Sequence, residues 1–208
     1  MSIPYAFFDA DCLEATPQGA LRLHPRARLQ PFRKKLIALY KVIRANAAPL
    51  VYSTCYGRPM LRPGVRGDIL FVPLDPREQA WKADVATHHL FYVHKTYRDP
   101  KQKHLCPTYD MFADNGNAAD LVRAIDAREW IVFGNGFNLC IGGAVLGILN
   151  AGAPRVTFLA DVMTPLHGVP SVPPPETVFE QWSKAGARHK TFEQLCLRLA
   201  RERLQTAA

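Results

Sequence analysis

The stretch Trp130-Ile-Val-Phe-Gly-Asn-Gly-Phe-Asn-Leu-Cys140-Ile-Gly-Gly-Ala-Val-Leu-Gly-Ile-Leu-Asn150 decides both the fold and the place of the chemistry. Its first four apolar residues, ending at Phe133, read as a buried strand, and Gly134 and Gly136 break it. Ile141, Val145, Ile148 and Leu149 then recur at helical spacing, with Asn138 placed to act as N-cap. Cys140 therefore falls in the first turn of a helix that follows a central strand. Unpaired backbone N–H groups and the positive end of the helix dipole there favour a thiolate over a thiol. The two glycines allow a sharp turn and a close approach of the backbone to a ligand. Such a corner can supply a nucleophile and an oxyanion hole together. The competing reading is a small apolar residue packing a helix start, since free cysteines are commonly buried.

Two further stretches bear on that choice. Tyr5-Ala-Phe-Phe-Asp9-Ala-Asp11 reads as a first buried strand with a carboxylate at its carboxyl end, and Leu90-Phe-Tyr-Val-His94-Lys95-Thr96 as another that ends on a lysine. A single charged residue after a strand is ordinarily a solvated loop residue. Three strands ending on Asp9, Lys95 and Cys140 make up a base, a cation and a nucleophile, at the edge where open α/β sheets bind ligands.

On these residues the chain resembles the isochorismatase-like cysteine hydrolases, the group that includes nicotinamidases and N-carbamoylsarcosine amidases. In that family an Asp follows the first strand, a Lys ends the third and a Cys opens the helix after the fourth. The matching positions are Asp9, Lys95 and Cys140, and the agreement extends over roughly residues 4–165. The resemblance implies a three-layer α/β/α domain whose six-stranded parallel sheet runs in the order 3-2-1-4-5-6. It implies a catalytic triad of Asp9, Lys95 and Cys140, an oxyanion hole from the backbone N–H groups of Gly136 and Cys140, and a cis peptide before Gly136. It also implies a small amide, ureido or carbamoyl substrate cleaved through a thioester, with no metal or organic cofactor.

The departures from the family pattern are informative as well. Asp11 stands where Gln is frequent, and Phe137 and Asn138 stand where Thr-Asp commonly precedes the cysteine. The stretch Val51-Tyr-Ser-Thr-Cys-Tyr-Gly-Arg58 has no Asp-x-His metal element, which disfavours nicotinamidase itself. The catalytic skeleton is kept while the substrate-reading shell is rebuilt. Asp11, Tyr109, Phe112, Phe137 and Asn138 are the candidate pocket residues, with Arg58 or Arg62 favouring an acid-bearing substrate if they face the mouth. The alternative is a catalytically inactive member that binds a ligand or partner. A further rival is a nucleotide- or adenosylmethionine-binding enzyme, suggested by Gly134, Gly136 and a later acid, Asp161. Leu139 replaces the third glycine of that fingerprint.

Composition sets bounds. The chain has 208 residues, 48% of them apolar, enough for one α/β domain over residues 1–208. No apolar run approaches the roughly 20 residues of a membrane helix. The first residues show no basic region followed by an apolar one. Five cysteines without a Cys-x-x-Cys pair point to free thiols in a reducing compartment, hence a cytoplasmic protein. The formal charge of +8 comes from dispersed basic residues. Arg33, Lys34, Lys35, Lys41 and Arg44 share one amphipathic helix with Phe32, Leu36, Leu39, Tyr40 and Ile43, which reads as a solvated helix face. No nucleic-acid partner is expected.

Strands and helices alternate along the chain. Strands are expected near residues 4–9, 49–54, 89–95, 130–134 and 155–160, with a short sixth near 189–192. Helices are expected near 29–46, 118–127, after Asn138, and over 176–184 and 191–205. Alternation of this kind implies right-handed crossovers and a parallel sheet covered on both faces. Residues 58–67 and 98–117 are the expected walls of the site. The last helix docks on the sheet or on another subunit, and a homo-oligomer is expected.

Overall fold

The computed structural model describes residues 3–10, 26–54, 69–94, 111–164 and 174–206. Seven parallel strands form one sheet: β1 (Ala6–Ala10), β2 (Leu50–Thr54), β3 (Ile69–Val72), β4 (Leu90–His94), β5 (Trp130–Asn135), β6 (Val156–Thr164) and β7 (Arg188–Lys190). Their spatial order is β3-β4-β2-β1-β5-β6-β7. The last six elements of that order reproduce the expected 3-2-1-4-5-6. The difference is one added edge strand, β3, a run of four residues bounded by Pro73 and paired on one side only, to β4.

The strands alternate their side chains between two cores. Phe7, Leu50, Tyr52, Tyr92, Ile131 and Phe133 face α1 (Arg26–Ala45) and α6 (Phe192–Thr206). Those helices supply Phe32, Leu36, Leu39, Ile43, Leu195 and Leu199 to the same core. Phe8, Val51, Phe91, Val132 and Phe158 face the other way, toward α2 (Met111–Asp114), α3 (Ala118–Ile125), α4 (Gly142–Asn150) and α5 (Pro175–Lys184). Each large apolar side chain buried in this way contributes about 1.5–3 kcal/mol. The apolar stripe read from the basic helix is the one that α1 buries.

A 3-10 helix over Ala80–Thr87 precedes β4. It is tied to α3 by Asn117, a fully buried residue. The Asn117 side-chain amide donates to the carbonyls of Pro73 and Asp75 at 2.9 Å and accepts from Gln79 at 2.9 Å. Residues between β3 and β4 thus gain order from side-chain bonds to a distant helix, which apolar periodicity does not reveal.

At the amino edge of the sheet, just before β5, Glu129 is buried. Arg198 of α6 donates to both of its oxygens, at 2.9 and 2.6 Å, and Thr157 donates to one at 2.6 Å. Arg155 stands 3.6 Å away. Burial pushes the Glu129 carboxyl up, but the bonds from Arg198 and Thr157 and the charge of Arg155 outweigh it and hold the group below its ordinary range. Since the folded value is depressed, this stabilisation is present above the ordinary carboxylate range. It is lost as pH falls through the lower folded value.

This architecture makes three stability predictions. Arg198→Leu leaves a buried carboxylate short of its main partner and lowers stability by about 3 kcal/mol in urea melts at neutral pH. Glu129→Gln flattens the acid side of the stability–pH curve; an unchanged acid slope refutes the role given to this carboxylate. Gly134→Ala, for which space is lacking as described next, lowers the thermal midpoint or blocks folding, whereas Gly152→Ala, with open space around it but a positive φ of 93°, is milder.

Candidate functional site

The chain leaves β1 toward β2 on one side and returns at β5 on the other, so β1 and β5 flank the topological switch point of the sheet. Asp9 lies in register with Phe133, and Ala10 with Gly134. Gly134 has a φ of 134°, and a Cβ added there would overlap the Ala10 carbonyl oxygen and lie 2.8 Å from the Ala10 nitrogen. Glycine at this position is what lets the two strand ends close together.

Asp9 is fully buried, on the face shared by Phe7, Tyr52 and Phe133. The Tyr40 hydroxyl of α1 donates to one of its carboxylate oxygens. Tyr40 is itself held edge-on against Phe133, with ring centroids 6.1 Å apart. The donated bond stabilises an ionised carboxyl, while burial works against the charge. Tyr40 is the partner of Asp9 that the sequence does not announce, because it occupies an apolar position of an amphipathic stripe. The available signal was a phenol standing where the stripe otherwise carries Phe, Leu and Ile.

Cys140 is buried, 6% exposed, and belongs to the core cluster that also holds Ala10, Val132 and Ala144. The local backbone differs from the expected helix start. Cys140 lies in a π-helical turn, Phe137–Ile141, that leads into α4, and the capping position is Gly136 at φ 73°, ψ 58°. Asn138 is inside that turn and is not the cap. The Gly136 carbonyl accepts from Leu139 at 3.0 Å and from Ile141 at 3.2 Å. Single π turns of this kind are frequent at functional sites. A Cβ at Gly136 would stand 3.9 Å from the Cys140 Sγ, an ordinary contact, so the left-handed backbone is what requires glycine there.

The oxyanion-hole expectation meets a correction. No cis peptide occurs among the described residues, so the expected cis form of the Asn135–Gly136 bond is absent. The Gly136 N–H donates to the Thr164 carbonyl at 2.9 Å, extending the pairing of β5 with β6. The sheet ladder claims the donor that the resemblance assigns to the substrate.

Lys95, Asp11 and Tyr109 lie outside the described residues, as do the expected walls at 58–67 and most of 98–117. The same holds for the side chains of Phe137 and Asn138. Lys95 directly follows β4, which β2 separates from β1. Phe112 packs as part of the interior: its ring lies 6.4 Å from that of Phe8, and a Cβ at Gly147 would overlap it. Gly147 is seven residues beyond Cys140, about two helical turns, so the contact of Phe112 with α4 lies well down the helix.

The acid of the nucleotide-site rival is already engaged. Asp161 sits where β6 shifts register against β5, accepts the Phe192 N–H at 2.8 Å at the start of α6, and pairs with Lys35 at 2.8 Å. Cys196, the other described free cysteine, lies on α6, where burial and then the charge of Asp161 push its thiol up. Among the described residues no three metal-ligating side chains are grouped, and no helix is long and apolar enough to cross a membrane.

No protein-family model matches the chain, and no curated protein matches it in sequence. Solved structures do. The pyrazinamidase of Pyrococcus horikoshii in complex with zinc superposes with a TM-score of 0.58 at 15% identity, covering 90% of this chain and 98% of that one. YcaC from Pseudomonas aeruginosa, in a structure with covalent acrylamide, gives 0.56 at 16% identity over 93% of this chain and 77% of that one. N-carbamoylsarcosine amidase from Thermoplasma acidophilum gives 0.51 at 12% identity, over 92% and 97%. The donor set after β2, Cys55, Tyr56, Gly57 and Arg58, lacks the Asp-x-His element of the nicotinamidase metal site and does not fit such a zinc ion. Strand order, the switch point between β1 and β5, and the glycine-rich corner that carries Cys140 give this chain the isochorismatase-like hydrolase fold.

Proposed function

We propose that the protein is a cysteine hydrolase that cleaves a C–N bond of a small amide, ureido or carbamoyl compound through a thioester on Cys140. One observation carries the reading: a fully buried carboxylate, Asp9, and a buried cysteine in a glycine-capped turn stand at the carboxyl ends of adjacent strands, across the switch point. A carboxylate held in the core at that edge has no packing purpose that an apolar residue would not serve better. The folds of an amidase and a pyrazinamidase, superposable over nine-tenths of the chain, support the same reaction class.

In this mechanism Asp9 takes the proton from the Cys140 thiol, and Lys95 supports the thiolate charge. The sulfur attacks the substrate carbonyl carbon, and the Cys140 N–H at the turn stabilises the developing oxyanion. Gly136 joins it only by releasing Thr164. The C–N bond then breaks as Asp9 returns the proton to the leaving nitrogen. Water, deprotonated by Asp9, attacks the thioester carbonyl, releasing the acid and regenerating the thiol. Tyr40 acts through Asp9 as a positioning residue. The enzyme is read as a cytoplasmic homo-oligomer handling a small molecule, with the exposed Leu197 and Leu204 of α6 available to a second copy.

The engagement of the Gly136 N–H by Thr164 favours the second reading, a member that binds a ligand without turning it over. One experiment separates the two. An amide and ureide panel, assayed for released ammonia or amine with intact-protein mass spectrometry, shows turnover and an acyl adduct on Cys140. Cys140→Ala abolishes both, by at least about 10³-fold, while the thermal midpoint holds. No turnover across the panel, with Cys140 alkylated by iodoacetamide no faster than an exposed thiol, establishes the inactive reading.

Tyr40→Phe tests the base. Removing a donor to a carboxylate favours its protonated form, so the acid limb of the kcat/KM profile moves to higher pH. An unmoved limb means that Asp9 is not the group that titrates in catalysis.

A further inference from the structure

We propose that Ser53 reads the substrate of the Cys140 site, its hydroxyl hydrogen-bonding the uncharged polar group of a neutral amide. The inference rests on the cysteine-hydrolase reading and deepens it. Four strands line up across the centre of the sheet, and two successive rows on the α4 face differ sharply in size. The inner row is Phe91, Val51, Phe8 and Val132; the row at the carboxyl edge is Val93, Ser53, Ala10 and Gly134. The row at the carboxyl edge therefore carries less side-chain volume than the row before it. Ala10, Val93 and Cys140 belong to one packed cluster.

Small side chains alone would be filler for a close contact. Ser53 is different: it is 1% exposed, and its Oγ has no hydrogen-bond partner among the described residues. Burying a hydroxyl without a partner destabilises the folded protein, and alanine would fit the same strand position without that penalty. A hydroxyl kept in that state, in the carboxyl-edge row that Ala10 joins to Gly134 and the turn of Cys140, is suited to a partner that arrives with the substrate. A single neutral hydroxyl can donate to a carbonyl or accept from an amide N–H, but it cannot compensate a buried carboxylate. That points to neutral amides and ureides, and away from the acid-bearing substrates that Arg58 or Arg62 would favour.

The test uses the full chain and two isosteric alkylating probes, neutral iodoacetamide and anionic iodoacetate, with rates at Cys140 followed by intact mass and peptide mapping. In Ser53→Ala the iodoacetamide rate falls about fivefold while the iodoacetate rate holds, so their ratio falls by the same factor. The thermal midpoint rises, by about 3 °C, because an unpartnered buried hydroxyl has been removed. An unchanged ratio with a reactive Cys140 overturns the role of Ser53 alone. A lowered midpoint also overturns it, since it marks a hydroxyl with a structural partner. If Cys140 of the unaltered protein reacts with neither probe faster than an exposed thiol, the hydrolase reading fails and this inference falls with it.

Discussion

The carboxyl ends of β1 and β5 meet where no side chain fits. Gly134 presses on the backbone of Ala10, so the strands that bracket the switch point close with only main chain between them at that row. Everything at the site depends on this contact. It fixes Asp9 one residue before the contact and starts the turn to Cys140 one residue after β5 ends. It also forces the chain out of the sheet through Gly136 in a left-handed conformation, which aims the π-helical turn over the sheet edge. A Cβ at Gly134 would separate the strand ends and displace Asp9 and the turn of Cys140 together.

The two edges of the sheet have opposite characters. At the amino edge the buried charge of Glu129 is met by two donated bonds from Arg198 and one from Thr157, and this end serves stability. The carboxyl edge holds a buried carboxylate bonded to a tyrosine, a buried cysteine, an unpartnered serine hydroxyl and two glycines at positive φ. Buried donors without a hydrogen-bond partner among the described residues occur at the amino edge too, at Trp130 Nε1 and at Arg198 Nε and Nη2. What sets the carboxyl edge apart is the buried carboxylate and cysteine together with two glycines at positive φ.

Much of this was legible in the residues. The apolar runs before Asp9, Lys95 and Cys140 are central strands, and a buried parallel strand writes itself as an unbroken apolar run. The Leu36, Leu39 and Ile43 stripe is the face that α1 buries. Less legible was β3: Ile69–Val72 is only four residues long, Pro73 closes it, and Phe71 is 56% exposed, so neither length nor burial marked it as a strand. The 3-10 helix hangs on the side chain of Asn117, a long-range bond that periodicity does not encode. The Asn138 cap failed because Gly136 turns the chain two residues earlier. The expected cis peptide is absent, and Thr164 of the neighbouring strand takes the Gly136 N–H; a single strand's sequence carries no record of its neighbour's carbonyls.

Tyr40 and Ser53 extend the lesson to function. Both are polar residues in positions whose pattern says apolar: one within a helix stripe, the other at the end of a strand of Leu50, Val51 and Tyr52. Periodicity assigns such positions to packing, and packing alone would favour Phe and Ala. The phenol instead meets the carboxylate proposed as the base, and the serine hydroxyl lies buried in the row beside Gly134. Charged residues at strand ends announce a site openly, but solvent also selects for them. Solvent does not select a buried polar group at an apolar position, because water cannot stabilise it there; what remains is a structural partner, as Thr157 has in Glu129, or a role at the site. In a sheet of this kind, deviations from the apolar pattern within the last two rows before the carboxyl edge therefore discriminate function from packing better than the strand-end charges do.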